Sequence, residues 1–360
     1  MKILIIGFAK LKIMPYMNFY INSIDAKVHD VHLLYWNRDL KEEDTSRYPN
    51  LTFHEFKCYQ EDEVDKWKKL RSFYLYRKYT LDVINSNEFD FVIVLHTLPG
   101  ILLYDKLKSK FAGKYILDYR DSTYEGFYPF RKLVGGLIKR SRCTFTSSDA
   151  FRRYFPYKYK DKIFTSHNIL EDSLNHREYD KIKSDKIRVA FWGQIRHESV
   201  NRLLIDRLGN DSRFELHYYG REQNIALALK SYAKQSNYNN VYFHGEYMPE
   251  ERYEFVKNTD IIHNIYNDTN TLLAMGNKYY DGLIFRIPQI CMLGSFMGQL
   301  CEKHGIGISL DPQDEYFADK LYYYYKNLKI QDFYNGAERV LKDVLLEYKL
   351  GVEFIREVIK

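Results

Sequence analysis

The chain has 360 residues, of which 45% are hydrophobic and 28% charged. That composition belongs to globular proteins, excludes a disordered chain, and at this length suits two domains of ordinary size. The formal charge is +6, from 54 basic against 48 acidic residues, which is too diffuse for the clustered cationic footprint of a nucleic-acid binder. No run approaches the roughly 18 to 20 apolar residues that cross a bilayer. The first apolar segment, 2–7, is too short for a signal peptide and lacks its small-residue cleavage site. A cytoplasmic protein is expected.

The four cysteines, Cys58, Cys143, Cys291 and Cys301, form no Cys-x-x-Cys pair, which argues against a disulfide framework and against a zinc site. His29 and His32 form a His-x-x-His pair with no cysteine or acid cluster to complete a ligand set.

In chain order, the first half alternates short apolar runs with amphipathic stretches. Segments 3–8, 31–36, 51–56, 91–95, 115–117, 143–146 and 163–166 read as strands, several apolar throughout, as a parallel strand buried on both faces requires. Segments 63–85, 101–110 and 130–141 have helical length and periodicity. Two stretches, 66–78 and 126–142, mix cations with aromatic residues and carry no acid. They suit either the anionic inner face of a cell membrane or the exposed side of an ordinary surface helix.

Residues 171–186 are polar and almost free of large apolar side chains, the mark of a linker. The pattern then restarts, with strands at 187–192, 214–219, 241–243, 260–262, 289–292 and 307–310. Helices are expected at 200–208, 224–235, 249–258 and 277–285, and from 314 to the end. Strand–helix alternation in both halves predicts an α/β protein with two Rossmann-like, doubly wound domains facing a cleft. The expected domains are 1–172 and 187–345, joined by a linker at 173–186. Ligands in such sheets sit beyond the carboxyl ends of the strands, so the loops there are the places to search.

The first strand runs into Gly7-Phe8 without the further glycines of a dinucleotide fingerprint, which argues against a hydride-transfer enzyme. Gly7 either lets a ligand approach the backbone or makes a tight turn. In the second half, Gly193 is followed by Arg196, and Gly220 by Arg221, each at a strand end where arginine can grip a phosphate. Gly245 ends a further strand, and Met248-Pro249-Glu250-Glu251 opens a helix. Gly276-Asn277-Lys278 starts another, with Asp281 one turn inside. Free N–H groups, the helix dipole and Lys278 can hold a phosphate there, and Asp281 can accept from ribose hydroxyls. Asp281 equally suits an acid that complements the dipole.

The order Gly245-x-x-Met248-Pro249-Glu250-Glu251, Asp260, Gly276-Asn277-Lys278-x-x-Asp281 and Pro288 resembles the nucleotide-binding half of GT-B glycosyltransferases. The resemblance is to the family 4 type of bacterial capsule, O-antigen and lipopolysaccharide pathways. Asp90-Phe91-Val92-Ile93, Leu117-Asp118-Tyr119-Arg120-Asp121 and Thr146-Ser147-Ser148 resemble the first half of those enzymes more loosely. The resemblance implies a UDP- or GDP-linked sugar donor, a saccharide or polyprenyl-linked saccharide acceptor, retention of configuration, and no metal or other cofactor. It implies that Asp281 binds the donor ribose, that Gly193, Gly276, Asn277, Lys278, Arg196, Gly220 and Arg221 surround the diphosphate, and that Gly245 through Met248 and Pro249 read the base. His96, Arg120 and Asp121 become the catalytic and acceptor-facing residues, beside Gly7 and Phe8. A final helix at 346–360 packs back on the first domain.

The chain departs from the family pattern at five positions. Leu273 stands where many members carry a second glutamate, aspartate replaces glutamate at 281, and Arg286 replaces glycine. Gln194 and Ser199 occupy the positions of an arginine–lysine phosphate pair. Two other readings therefore stand beside the transferase: a nucleotide-sugar epimerase of the same fold, and a catalytically degenerate scaffold partner of an active enzyme.

Overall fold

The computed structural model describes residues 1–60 and 65–360. The chain forms two compact units, residues 1–167 with 346–360, and residues 168–345.

The first unit contains β1 (Lys2–Ile6), α1 (Met17–Ile21), β2 (Asp30–Asn37), β3 (Leu51–Lys57), α2 (Lys66–Asn85) and β4 (Phe91–Leu95). α3 (Thr97–Leu102), α4 (Tyr104–Lys108), β5 (Tyr115–Tyr119), α5 (Tyr128–Arg140), β6 (Cys143–Thr146) and β7 (Ile163–Thr165) follow. Its sheet runs β3-β2-β1-β4-β5-β6-β7, parallel throughout. The central strands are apolar on both faces because helices cover both: Ile3 through Ile6 and Val92 through Leu95 are fully buried.

The second unit holds β8 (Ile187–Trp192), α6 (Glu198–Leu208), β9 (Phe214–Tyr219), α7 (Asn224–Gln235), β10 (Val241–Phe243), α8 (Arg252–Lys257) and β11 (Ile261–Asn264). It continues through α9 (Thr269–Leu273), α10 (Asn277–Ile284), β12 (Gln289–Met292), α11 (Phe296–His304), β13 (Gly307–Leu310) and α12 (Phe317–Lys326) to α13 (Ile330–Val358). The sheet order β10-β9-β8-β11-β12-β13, again all parallel, reverses direction between β8 and β11. Both units are thus doubly wound α/β sheets, as expected, each with its switch point beside its first strand.

α13 carries the chain from the second unit back into the first. There Tyr348 stacks edge-on against Phe19 with centroids 5.0 Å apart, and Phe354 lies 4.6 Å from Phe164. Gly351 makes the approach possible, since a Cβ on it would stand 2.9 Å from Phe19.

Several elements differ from the sequence expectation. The helix at 101–110 starts earlier and is two helices, α3 and α4, broken at Leu103 (φ −106°, ψ 16°). The helix at 249–258 opens as a 3-10 turn, Pro249–Glu251, before α8. The long terminal helix is interrupted between α12 and α13. The helix at 63–85 begins at Lys66 within the described residues, capped by the Asp65 carboxylate on the N–H groups of Trp67 and Lys68; residues 63 and 64 lie outside them. α11 escaped the hydrophobic pattern, although Ser295 caps its start and Gly305, at φ +68°, ends it.

The polar stretch at 171–186 is exposed along most of its length yet tied down within the second unit. Tyr179 donates to the Phe285 carbonyl at 2.7 Å, the Ile182 N–H to the Lys257 carbonyl at 2.9 Å, and Ser173 is fully buried. A polar segment reads as free chain in the sequence because its anchors, hydrogen bonds to backbone and ion pairs such as Glu178–Arg286 and Lys181–Asp260, lie far away along the chain.

Candidate functional site

In the second unit the strand-end loops are stitched together by backbone. The Gly193 N–H donates to the Tyr219 carbonyl at 2.9 Å, and the Gly220 N–H to the Gly245 carbonyl at 2.8 Å. A Cβ on Gly220 would stand 2.0 Å from the Gly193 carbonyl oxygen, so glycine is what lets these loops close on each other. Gly193 itself has φ +127° and Gly245 φ +82°, conformations that side chains strain. The structure thus gathers Gly193, Gly220 and Gly245 at the carboxyl ends of β8, β9 and β10, where a doubly wound sheet places its ligand.

Gly276 is the N-cap of α10. Asn277, the first residue of α10, is exposed, and Lys278 is only 8% exposed. The Lys278 ammonium lies 4.0 Å from the centre of the Phe191 ring and 5.2 Å from that of Tyr266. A Cβ on Gly193 would stand 3.7 Å from that ammonium, which places the cation directly under the glycine backbone. Burial, with Arg196 nearby, brings the Lys278 pKa down to about 7 against the pull of Asp281. A lysine held dry over aromatic faces at a helix start gains its full charge when an anion arrives.

Asp281 is 2% exposed. Its Oδ2 accepts from the Trp192 indole N–H at 2.9 Å, and its Oδ1 lies 3.5 Å from Arg252. Burial raises its pKa, opposed by Arg252 and the indole. A carboxylate has about four lone-pair sites, so these two partners leave acceptor capacity for hydroxyls while fixing the group's orientation. The sequence reading passed over Trp192 and Arg252. The signal was present in Trp192: an indole N–H at a buried strand end must find an acceptor.

Arg196 is exposed and reaches back to the Gln194 side chain at 3.0 Å, and Arg221 is exposed beyond Gly220. Met248 is 62% exposed, with its N–H on the Glu251 carboxylate, and Pro249 begins the 3-10 turn. Leu273 is buried, so the position of the family's second glutamate is apolar and closed here. Arg286 has φ +52°, the backbone that glycine provides in the family pattern, and its guanidinium is held by Glu338 at 2.9 Å and Glu178 at 3.1 Å.

In the first unit, Gly7 and Phe8 turn inward. A Cβ on Gly7 would stand 2.6 Å from the Met14 side chain, which makes the glycine a packing and turn residue. Phe8 is 7% exposed among Trp36, Phe73 and Tyr76. Gly7 and Phe8 were expected on the acceptor side; the Phe8 side chain packs into the core and Gly7 against Met14.

The carboxyl ends of β4 and β5 meet at His96, whose N–H donates to the Asp118 carbonyl at 2.8 Å. His96 has φ +83°, a region that costs a non-glycine residue about 1–3 kcal/mol and is found most often at functional sites. Its Nε2 lies 3.7 Å from Asp121 Oδ2, and the Asp121 carboxylate is half exposed. Arg120 is buried and donates from Nε to the buried Asp118 at 2.8 Å, beneath the Tyr16 ring at 4.4 Å. The Ser147 hydroxyl donates to the Arg120 carbonyl at 2.6 Å. Arg120 therefore braces the loop that presents Asp121, and Tyr16 is a contributor that sequence spacing gave no means of finding.

No protein-family model matches the chain, and no curated protein matches it in sequence. Its fold does match solved structures. Sucrose-phosphate synthase from Thermosynechococcus elongatus superposes with TM-score 0.74 at 12% identity, covering 99% of each chain. Anabaena HepE, solved in complex with UDP-glucose, gives TM-score 0.69 at 13% identity over 99% of this chain and all of its own. A glycosyltransferase from Rickettsia africae gives 0.66 at 12% identity over 100% of this chain and 99% of its own. The chain has the two-domain α/β fold of these proteins, the GT-B class.

Proposed function

We propose that the chain is a glycosyltransferase that moves a sugar from a UDP- or GDP-linked donor to a saccharide or lipid-linked saccharide of a bacterial surface polysaccharide. The observation that carries the reading is Lys278, buried at the start of α10 directly under the Gly193 backbone. That arrangement offers a diphosphate one ammonium, the N-terminal end of a helix and a side-chain-free approach. Asp281, oriented by Trp192 and Arg252, takes the ribose hydroxyls. The fold shared with HepE, whose structure holds UDP-glucose, supports the same assignment.

In this reading Lys278, Arg196 and the α10 dipole stabilise the departing nucleoside diphosphate, so the reaction runs without a metal. The glycosyl centre passes through an oxocarbenium-like state, and the acceptor hydroxyl is oriented by Asp121 beside His96. Asp121 is the acceptor-side group because it is exposed and Arg120 is not. Configuration at the anomeric carbon is retained. In this reading the enzyme is of the family 4 type that acts on surface polysaccharides, the type its short sequence motifs resemble.

The test is incubation with UDP- and GDP-hexoses and a panel of saccharide and undecaprenyl-linked acceptors. The expected outcome is acceptor-dependent release of one nucleoside diphosphate and an anomeric configuration matching the donor. A free epimer formed without acceptor would favour the epimerase, and no turnover together with no nucleotide binding would favour the scaffold, the reading to which the closed Leu273 position lends weight.

A further inference from the structure

The outward side of α5 carries residues that its packing does not use. Phe130, Val134, Gly135, Leu137 and Ile138 form its buried side. Phe127, Tyr128 and Leu133 stand outside that stripe at 65%, 59% and 38% exposure, and Tyr124 in the preceding loop is 50% exposed. Gly126 through Pro129 are four exposed residues in a row. Grouped rings in water, beside a helix whose core side is already complete, mark a surface that meets something.

Cations accompany these rings. Lys132 lies 4.7 Å from the centre of the Tyr128 ring and Arg131 lies 5.7 Å from it, while Lys139 and Arg142 are exposed further along. The one acid between residues 122 and 142, Glu125, is 2% exposed, with its carboxylate turned onto the Thr123 N–H. The exposed charge of this stretch is therefore positive throughout.

α2 repeats the pattern from a different part of the sequence. Ser72, Tyr76, Thr80, Val83 and Ile84 form its buried side. Trp67, Leu70 and Tyr74 are exposed among Lys66, Lys68 and Arg71. The two helices flank α3 and α4 on one face of the sheet. Arg77 of α2 holds Asp105 of α4 at 2.9 Å, and Tyr104 of α4 sits against Gly136 of α5, where no Cβ would fit. Crossover helices of a parallel sheet start at the carboxyl ends of its strands, the end at which His96 and Asp121 stand. Tyr124 is three residues from Asp121, a span of at most about 11 Å.

The residue types select the partner. Lysine is depleted in protein–protein interfaces, and exposed leucine offers nothing to a nucleic-acid base. An anionic bilayer surface answers every part: lysine and arginine meet its phosphates, tyrosine and tryptophan sit at headgroup depth, and phenylalanine and leucine reach the acyl boundary.

We propose that this face of the first unit docks on an anionic lipid surface through the start of α5 and the exposed stripe of α2, and so presents Asp121 to acceptors held at that surface. The docking stands apart from the transferase reading. Its consequence, an acceptor drawn from lipid-linked rather than free saccharides, rests on that reading.

The experiment is flotation of the full chain with vesicles of phosphatidylcholine alone and with vesicles that also contain phosphatidylglycerol. Phe127→Ser/Tyr128→Ser and Lys132→Gln/Lys139→Gln are measured alongside, with UDP protection against thermal unfolding read on the same preparations. The expected result is binding to the anionic vesicles only, weaker by about five-fold for each cation removed and by about ten-fold or more in the aromatic variant, with UDP protection unchanged in both. Absence of vesicle binding, or binding that neither variant weakens, overturns the proposal. Equal binding to both vesicle types overturns it in favour of a purely apolar contact. Displacement from the vesicles by single-stranded nucleic acid that the same variants fail to bind overturns it in favour of that partner. Intact UDP protection in any of these cases leaves the transferase reading standing, and vesicle binding without UDP protection leaves the docking standing alone.

Discussion

The indole nitrogen of Trp192 and the carboxylate of Asp281 meet at 2.9 Å across 89 residues of sequence. One stands at the end of β8 and the other one turn into α10, so a single hydrogen bond joins the strand and the helix that frame the proposed donor site. Removing the donor leaves a buried carboxylate oxygen unsatisfied, at about 1–3 kcal/mol. Trp192→Phe is expected to lower stability by that amount in urea unfolding and to weaken protection by UDP. A loss of only a few tenths of a kcal/mol would show that the bond does not hold the site.

Lys278 gives the site a pH dependence with a definite sign. Its pKa is about 7 in the folded chain and 10.5 when unfolded. Below pH 7 both states carry the proton and the full cost of a buried charge stands. Between pH 7 and 10.5 the unfolded chain binds more protons, so this residue's contribution to stability rises with pH. The difference between wild type and Lys278→Met, followed by thermal unfolding, is expected to shift in favour of the wild type across that window. A bound diphosphate restores the charge, so UDP binding takes up a proton and weakens as pH rises. Calorimetry at pH 8 in two buffers of different ionisation enthalpy measures the uptake.

Arg286 stands at φ +52°, where the family pattern has glycine, and is held by Glu338 and Glu178. Arg286→Ala loses both ion pairs and keeps the left-handed backbone; Arg286→Gly loses the pairs and relieves it. The glycine variant is expected to be the more stable of the two by about 0.5–1 kcal/mol, after the greater unfolded-state freedom of glycine offsets part of the gain. Equal stability in urea unfolding would mean that the backbone at 286 stores no strain.

On α2 the exposed side chains Trp67 (82%), Leu70 (57%) and Tyr74 (67%) fall at i, i+3 and i+7, one stripe of the helix. Lys66, Lys68, Arg71 and Lys78 flank them, all exposed. If this stripe meets an anionic membrane surface, each cation adds about 1 kcal/mol to binding. Cosedimentation with phosphatidylglycerol vesicles is expected, lost with phosphatidylcholine vesicles or in Trp67→Ala/Tyr74→Ala. Equal binding to both vesicle types would contradict the electrostatic part of the account. No helix among the described residues is long and apolar enough to cross a membrane.

Much of this was legible in the sequence, and the rest was not for identifiable reasons. A parallel strand buried on both faces leaves a continuous apolar run, as at 91–95, and the segments 143–146, 187–192, 214–219, 241–243 and 289–292 also coincide with the strands found. The glycines at 193, 220 and 245 announced strand ends, but only coordinates show Gly220 pressed against the Gly193 carbonyl. Phe8 was expected on the acceptor side because the sequence does not say which way a side chain turns at the end of a strand. Tyr16 and Arg252 reach their partners Arg120 and Asp281 through long-range packing that no local spacing encodes. α11 was hidden because its apolar stripe is short, although its caps at Ser295 and Gly305 stood in plain view.

The central claim is that the second unit binds a nucleoside diphosphate through Lys278 and Asp281, and thermal unfolding against UDP, GDP, ADP and CDP tests it most directly. At about 100 times its dissociation constant, one of them should stabilise the wild type by roughly 2.7 kcal/mol. That protection should fall sharply in Lys278→Met and in Asp281→Asn, each compared with its own ligand-free baseline. Stabilisation by none of the four, or by one to the same extent in both variants, would contradict the account.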